Sequence, residues 1–111
     1  MSANRGDEIS YFIGVPKYLT LRVKGSILNQ RVSVLIDSGA THNFVDAHLV
    51  QRREIPTDAF EGFSVLVLGD ITIQCMHYVP SFLVTMETYT FIDYFFVVDI
   101  PDTNVILGVQ C

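Results

Sequence analysis

Apolar and polar residues alternate along most of this chain with the two-residue period of half-buried strands. Leu19, Leu21 and Val23 point one way and Thr20 and Arg22 the other, until Lys24-Gly25-Ser26 offers a turn. Ile27 and then Val32 to Ile36 rebuild the pattern after a tight connection at Asn29-Gln30, with Val32, Val34 and Ile36 on the buried side. This nearly all-apolar strand runs straight into Asp37. Between His42 and Val50 the apolar positions fit a short helix, which ends before Pro56 and the polar Thr57-Asp58. Phe63 to Leu68 and Ile71 to Met76 read as the two arms of a hairpin, with Gly69-Asp70 as its turn because Gly69 accepts a positive φ. Cys75 falls on the inward side of that second arm and reads as a small core residue. Two aromatic and β-branched runs follow, Phe82 to Val84 and Phe91 to Val98, and the last run, Val105 to Leu107, stops at Gly108. Short strands divided by closely spaced turn signals predict an all-β sandwich or barrel.

Length and composition narrow this to one folded unit. With 111 residues, half of them hydrophobic and 17% charged, the chain suits a single core-rich domain. The expected division is a flexible polar tail over residues 1–10 and one domain over residues 11–111. The net charge is −5 and the basic residues are scattered apart from Arg52-Arg53, so no face is set to neutralise phosphates, and no nucleic-acid partner is expected. No apolar run approaches the roughly 18 residues of a membrane span, so no membrane partner is expected either. Cys75 and Cys111 form no Cys-x-x-Cys pair, which speaks against both a zinc site and a disulfide scaffold and favours a reduced, cytoplasmic setting. His42, His48 and His77 lack ligand spacing. They read as hydrogen-bonded histidines, with no metal and no other cofactor expected.

The chemistry concentrates at Asp37. One reading of Asp37-Ser38-Gly39 is a plain Asx turn, in which the carboxylate accepts backbone N–H groups and Gly39 supplies a special φ. Another is that an acid aimed out of a buried strand is there to react. Ser38 near His42 does not make a nucleophilic pair, because Gly-x-Ser-x-Gly is absent. Asp70, Asp93, Asp99 and Asp102 read as solvated loop charges, with Asp102 also weighed as a group at a substrate cleft.

A second motif weighs on the choice. Val105-Ile106-Leu107-Gly108-Val109-Gln110 is a buried strand ending in glycine, and together with Leu35-Ile36-Asp37-Ser38-Gly39-Ala40-Thr41-His42-Asn43-Phe44 it resembles the retropepsin-like aspartic protease family. The likeness is strongest to the gag-polyprotein proteases of plant Ty3/gypsy-type LTR retrotransposons and extends from about Ile9 to the end. It implies a small closed barrel of the acid-protease type with one short helix, in which the Asp-Ser-Gly-Ala loop is threaded by the Ile106-Leu107-Gly108 turn. It implies an aspartic endopeptidase that hydrolyses a polypeptide substrate, the polyprotein of a retroelement. Asp37, Ser38 and Gly39 would form the catalytic loop, and Ala40, Gly69 and Asp70 would meet substrate, the last two from a flap made by the Phe63–Met76 hairpin. One Asp triplet in so short a chain supplies one carboxylate of the two that such hydrolysis needs, so the implied active species is a homodimer with a second copy of itself. Two departures from the family pattern stand out: the hairpin tip has a single glycine, and the chain stops at Cys111, soon after the glycine turn. They motivate an alternative, a non-catalytic dimerisation or peptide-binding module derived from such a protease.

Overall fold

The computed structural model of the protein describes residues 10–13, 20–67 and 71–108. Its elements in chain order are β1 (Ser10–Ile13), β2 (Thr20–Ile27), β3 (Gln30–Asp37), β4 (Phe44–Asp46), α1 (Ala47–Arg52), β5 (Asp58–Val67), β6 (Ile71–Met86), β7 (Tyr89–Val98) and β8 (Val105–Gly108). The eight strands form one mixed sheet in the order β1-β5-β6-β2-β3-β8-β4-β7, and β6 also pairs with β7. That last pairing closes β6-β2-β3-β8-β4-β7 into a ring, the small barrel expected, from which β5 and β1 extend beside β6. No helix among the described residues is long and apolar enough to cross a membrane.

The wall that carries Asp37 is built from β3, β8 and β4. β3 and β8 run parallel, with Val34 beside Val105, Ile36 beside Leu107 and Asp37 beside Gly108. β4 lies antiparallel to β8 and parallel to β7. Both faces of this wall are covered: Val32, Val34, Val45, Val105 and Leu107 enter one apolar cluster, and Phe44 and Ile106 enter the other. Parallel strands buried on both faces read as continuous apolar runs instead of alternation. That is why Val34-Leu35-Ile36 and Val105-Ile106-Leu107 have no polar residue. Each fully buried branched side chain contributes about 1.5–3 kcal/mol.

Several local expectations change. The β2–β3 turn lies at Leu28-Asn29, between the paired Ile27 and Gln30, with φ of 47° and 65°. Two positive φ values give the turn whose twist matches the strands it joins, a conformation that suits asparagine better than leucine. Lys24-Gly25-Ser26 is the interior of β2, not a turn. A Cβ at Gly25 would lie 2.9 Å from both Thr85 O and Val34 Cγ2, so the glycine lets β6 cross β2 where Ser26 pairs with Thr85. Leu21, on the apolar side of the β2 alternation, is 58% exposed. The segment read as a helix from His42 begins as strand β4, and only Ala47–Arg52 is helical. Phe82 to Val84 is not a separate strand: β6 continues through it, and the register shift between Val79 and Phe82 accommodates Pro80, which has no N–H to pair. Cys75 is fully buried, as expected of a core residue, and burial pushes its thiol pKa up. The hairpin strands pair from Phe63 with Cys75 to Val67 with Ile71, while the Gly69-Asp70 turn lies outside the described residues, as do Met1 to Ile9 of the expected tail.

Candidate active site

Asp37 is the last residue of β3 and is 0% exposed in the single chain. Its Oδ1 accepts the Gly39 N–H at 2.8 Å, and its carbonyl oxygen accepts the Ala40 N–H at 3.1 Å. The Asx turn is therefore real, yet it does not account for the strand that lies beside it. Ser38 is exposed on the turn, Gly39 is half-buried, and Ala40 is buried in the second apolar cluster. These four residues stand together in one loop. Gly69 and Asp70 lie outside the described residues.

β8 seals the loop from the side. Gly108 pairs with Asp37, and a Cβ there would meet His42 O at 2.8 Å and Ala40 O at 2.9 Å. Both obstacles are backbone, so only glycine fits. The Gly108 N–H donates to Asn43 Oδ1 at 3.0 Å, Asn43 Nδ2 donates to Asp93 Oδ2 at 3.4 Å, and the Phe96 N–H donates to the Asn43 carbonyl at 3.0 Å. Asn43 thus joins β8, β7 and the loop from a buried position. In the sequence Asn43 stands within the Asp37 motif without an evident role. The available signal was a polar residue directly before the apolar Phe44-Val45. Asp93, expected as a solvated loop charge, lies within β7 and faces this network.

His42, on the same loop, packs edge-on against Phe96 with ring centres 5.4 Å apart. Burial disfavours its charged form and holds its pKa below the usual histidine value. Phe96 also meets Phe44, Phe60, Phe63, Tyr78 and Tyr94, so a continuous aromatic cluster links the loop to the β5–β6 arm.

Two other groups of acids lie elsewhere. Asp46 is nearly buried, and its Oδ1 accepts the Ile100 N–H at 2.9 Å. Its Oδ2 lies 3.6 Å from His48 Nδ1, which is 4.0 Å from Asp99 Oδ1. His48 and Asp99 are both exposed, so these contacts are solvent-screened and weak. The three come together because β4 pairs with β7, bringing Asp46 beside Val98, a proximity invisible in their spacing. Asp102 is at the other end of β8 from Gly108. Asp102 is exposed there, as a loop charge would be, and Arg22 Nη1 donates both to its backbone carbonyl and to Ser33 Oγ at 3.0 Å. An apolar groove of about 650 Å³, lined by Leu28, Ile55, Pro56, Val79, Phe82 and Leu83 among others, lies at the tip of the β2–β3 hairpin and contains none of the Asp37 loop.

Comparison with known sequences adds one family. The family model of the PEG10/RTL1 protease domain matches residues 33–110, a span that begins in β3 and takes in both the Asp37 loop and Gly108. No curated protein matches the chain.

Proposed function

Starting from the membership of this chain in the PEG10/RTL1 protease domain family, a retroviral-type protease, we propose that it is an aspartic endopeptidase acting as a homodimer. The observation that carries the reading is Asp37-Ser38-Gly39-Ala40 at the end of a buried strand with Gly108 directly beside it. Hydrolysis by this route uses two carboxylates that share one proton: one activates water, while the other gives a proton or hydrogen bond to the scissile carbonyl. The aspartic-protease dyad is the standard case of two like charges that cannot both ionise. One chain contributes one Asp37, so the second comes from a second copy across a two-fold axis. In the single chain Asp37 is wholly screened, which fits a lone chain being inactive.

In this reading Asp37 holds and activates the water, and the Ser38 hydroxyl hydrogen-bonds across the pair. Gly39 permits the close approach of the two loops. Substrate lies extended against Ala40 and beneath the β5–β6 hairpin, which acts as a flap with Gly69 and Asp70 at its tip, and it pairs by strand addition. The substrate is a retroelement polyprotein met in the cytoplasm, in keeping with the likeness to the plant Ty3/gypsy gag-polyprotein proteases. No metal or covalent intermediate is needed.

The complete burial of Asp37 also favours a second reading, a dimerisation or peptide-binding module that has kept the fold and lost hydrolysis. Cleavage of a peptide library by the chain and by Asp37→Asn, read together with sedimentation and pepstatin binding, separates the two. The protease reading expects a dimer that binds pepstatin and cuts only with Asp37 intact. Equal cleavage by both proteins sinks the protease reading, and a stable dimer that neither binds pepstatin nor cuts establishes the module.

A further inference from the structure

We propose that Asn43 is a positioning residue for Asp37 and that Asp93 sets the direction of its amide; this rests on the reading of Asp37 as the reactive carboxylate. Asn43 is 6% exposed, and its two amide ends face chemically opposite partners. On one side is the Gly108 N–H, a donor, 3.0 Å from Oδ1. On the other is the Asp93 carboxylate, an acceptor, 3.4 Å from Nδ2. An ionised carboxylate only accepts and a backbone N–H only donates, so the partners admit one orientation of the amide. Asp93 is itself anchored, because its Oδ1 accepts the Tyr94 N–H at 2.8 Å. The order Tyr94, Asp93, Asn43, Gly108 therefore runs from β7 through the loop to β8 with each donor matched to an acceptor.

The end of that series bears on Asp37. Gly108 is the register partner of Asp37, and the space around it is closed by the carbonyls of Ala40 and His42. With no side chain of its own, Gly108 is held against the loop through its backbone, and its N–H is the group that Asn43 takes. Losing that acceptor leaves a donor in a half-buried position, which favours a small shift of β8. Such a shift moves the backbone against which Asp37 is registered without touching the carboxylate. Asn43 acts here through the Gly108 N–H. Its effect is on where Asp37 stands.

The arrangement makes a swap test available. Asn43→Asp keeps an acceptor for the Gly108 N–H but sets a carboxylate against Asp93, so kcat should fall on the order of 10- to 100-fold with KM little changed. Adding Asp93→Asn restores most of the lost rate, because the introduced amide donates to the introduced carboxylate, which still accepts from Gly108. Amide hydrogen exchange at Gly108 should accelerate in Asn43→Asp and slow again in the double variant, while Val34 and Val105 stay protected. A double variant as slow as Asn43→Asp, or unchanged exchange at Gly108 in Asn43→Asp, overturns the proposal. If Asn43→Asp does not fold, Asp93→Ala and Asp93→Asn replace it: only the alanine variant should speed Gly108 exchange, and equal exchange in both overturns the proposal. A wild-type chain that cleaves nothing counts against the protease reading alone, since Gly108 exchange is read without activity.

Discussion

Two aspartates end buried strands in this protein, Asp37 in β3 and Asp46 in β4, and in each the Oδ1 accepts a backbone N–H, from Gly39 and from Ile100 respectively. They differ in what surrounds them. Asp37 is followed by a tight Ser-Gly turn and flanked by a glycine strand end where any added Cβ would press on two backbone carbonyls. Asp46 leads directly into α1, and its other oxygen faces an exposed histidine. Burial and a backbone hydrogen bond are thus common to both aspartates. The distinguishing feature is backbone built close around Asp37, where a Cβ on Gly108 would meet the carbonyls of Ala40 and His42.

The largest separation between the two should appear in cleavage. Asp37→Asn is expected to lose about 10²- to 10⁴-fold in kcat/KM, the range of a removed general base, whereas Asp46→Asn keeps an acceptor for Ile100 and stays near wild type. Gly108→Ala should come next, destabilising the chain by up to about 3 kcal/mol in urea unfolding, since the added methyl meets two carbonyl oxygens. Asp46→Ala leaves the Ile100 N–H without its acceptor and should cost about 1–2 kcal/mol in the same assay. A smaller contrast concerns pH. The folded pKa of His42 lies below its unfolded value, so the unfolded chain binds the extra proton, and the stability of wild type should decline as pH falls through about 6.5. His42→Gln should flatten that decline in urea midpoints measured across the range. His48→Ala should change stability least, within about 0.5 kcal/mol, because its partners are solvent-screened.

Much of the barrel was legible because strand pattern is local. The runs ending at Asp37 and Gly108 announced themselves as buried, and their pairing as parallel neighbours explains why neither alternates. Turn placement was less legible. Gly25 looked like a turn because glycine commonly makes one, but here it serves a strand crossing, while Leu28, a poor residue for positive φ, makes the actual turn. The helix was placed early because Phe44-Val45 fits either period, and pairing with Phe96 and Ile106 decides for strand. At the site, the Asp-Ser-Gly-Ala loop was readable as contiguous sequence. The Asn43–Asp93 link was not, since it joins residues 50 positions apart through the closure of the barrel.

In the proposed enzyme one chain holds half of an active site. Mixing wild-type chain with increasing Asp37→Asn at constant total concentration tests it directly. If activity needs Asp37 from two copies, cleavage falls as the square of the wild-type fraction. Cleavage that falls only in proportion to the wild-type fraction would show that each chain carries a complete site, and would contradict the shared one.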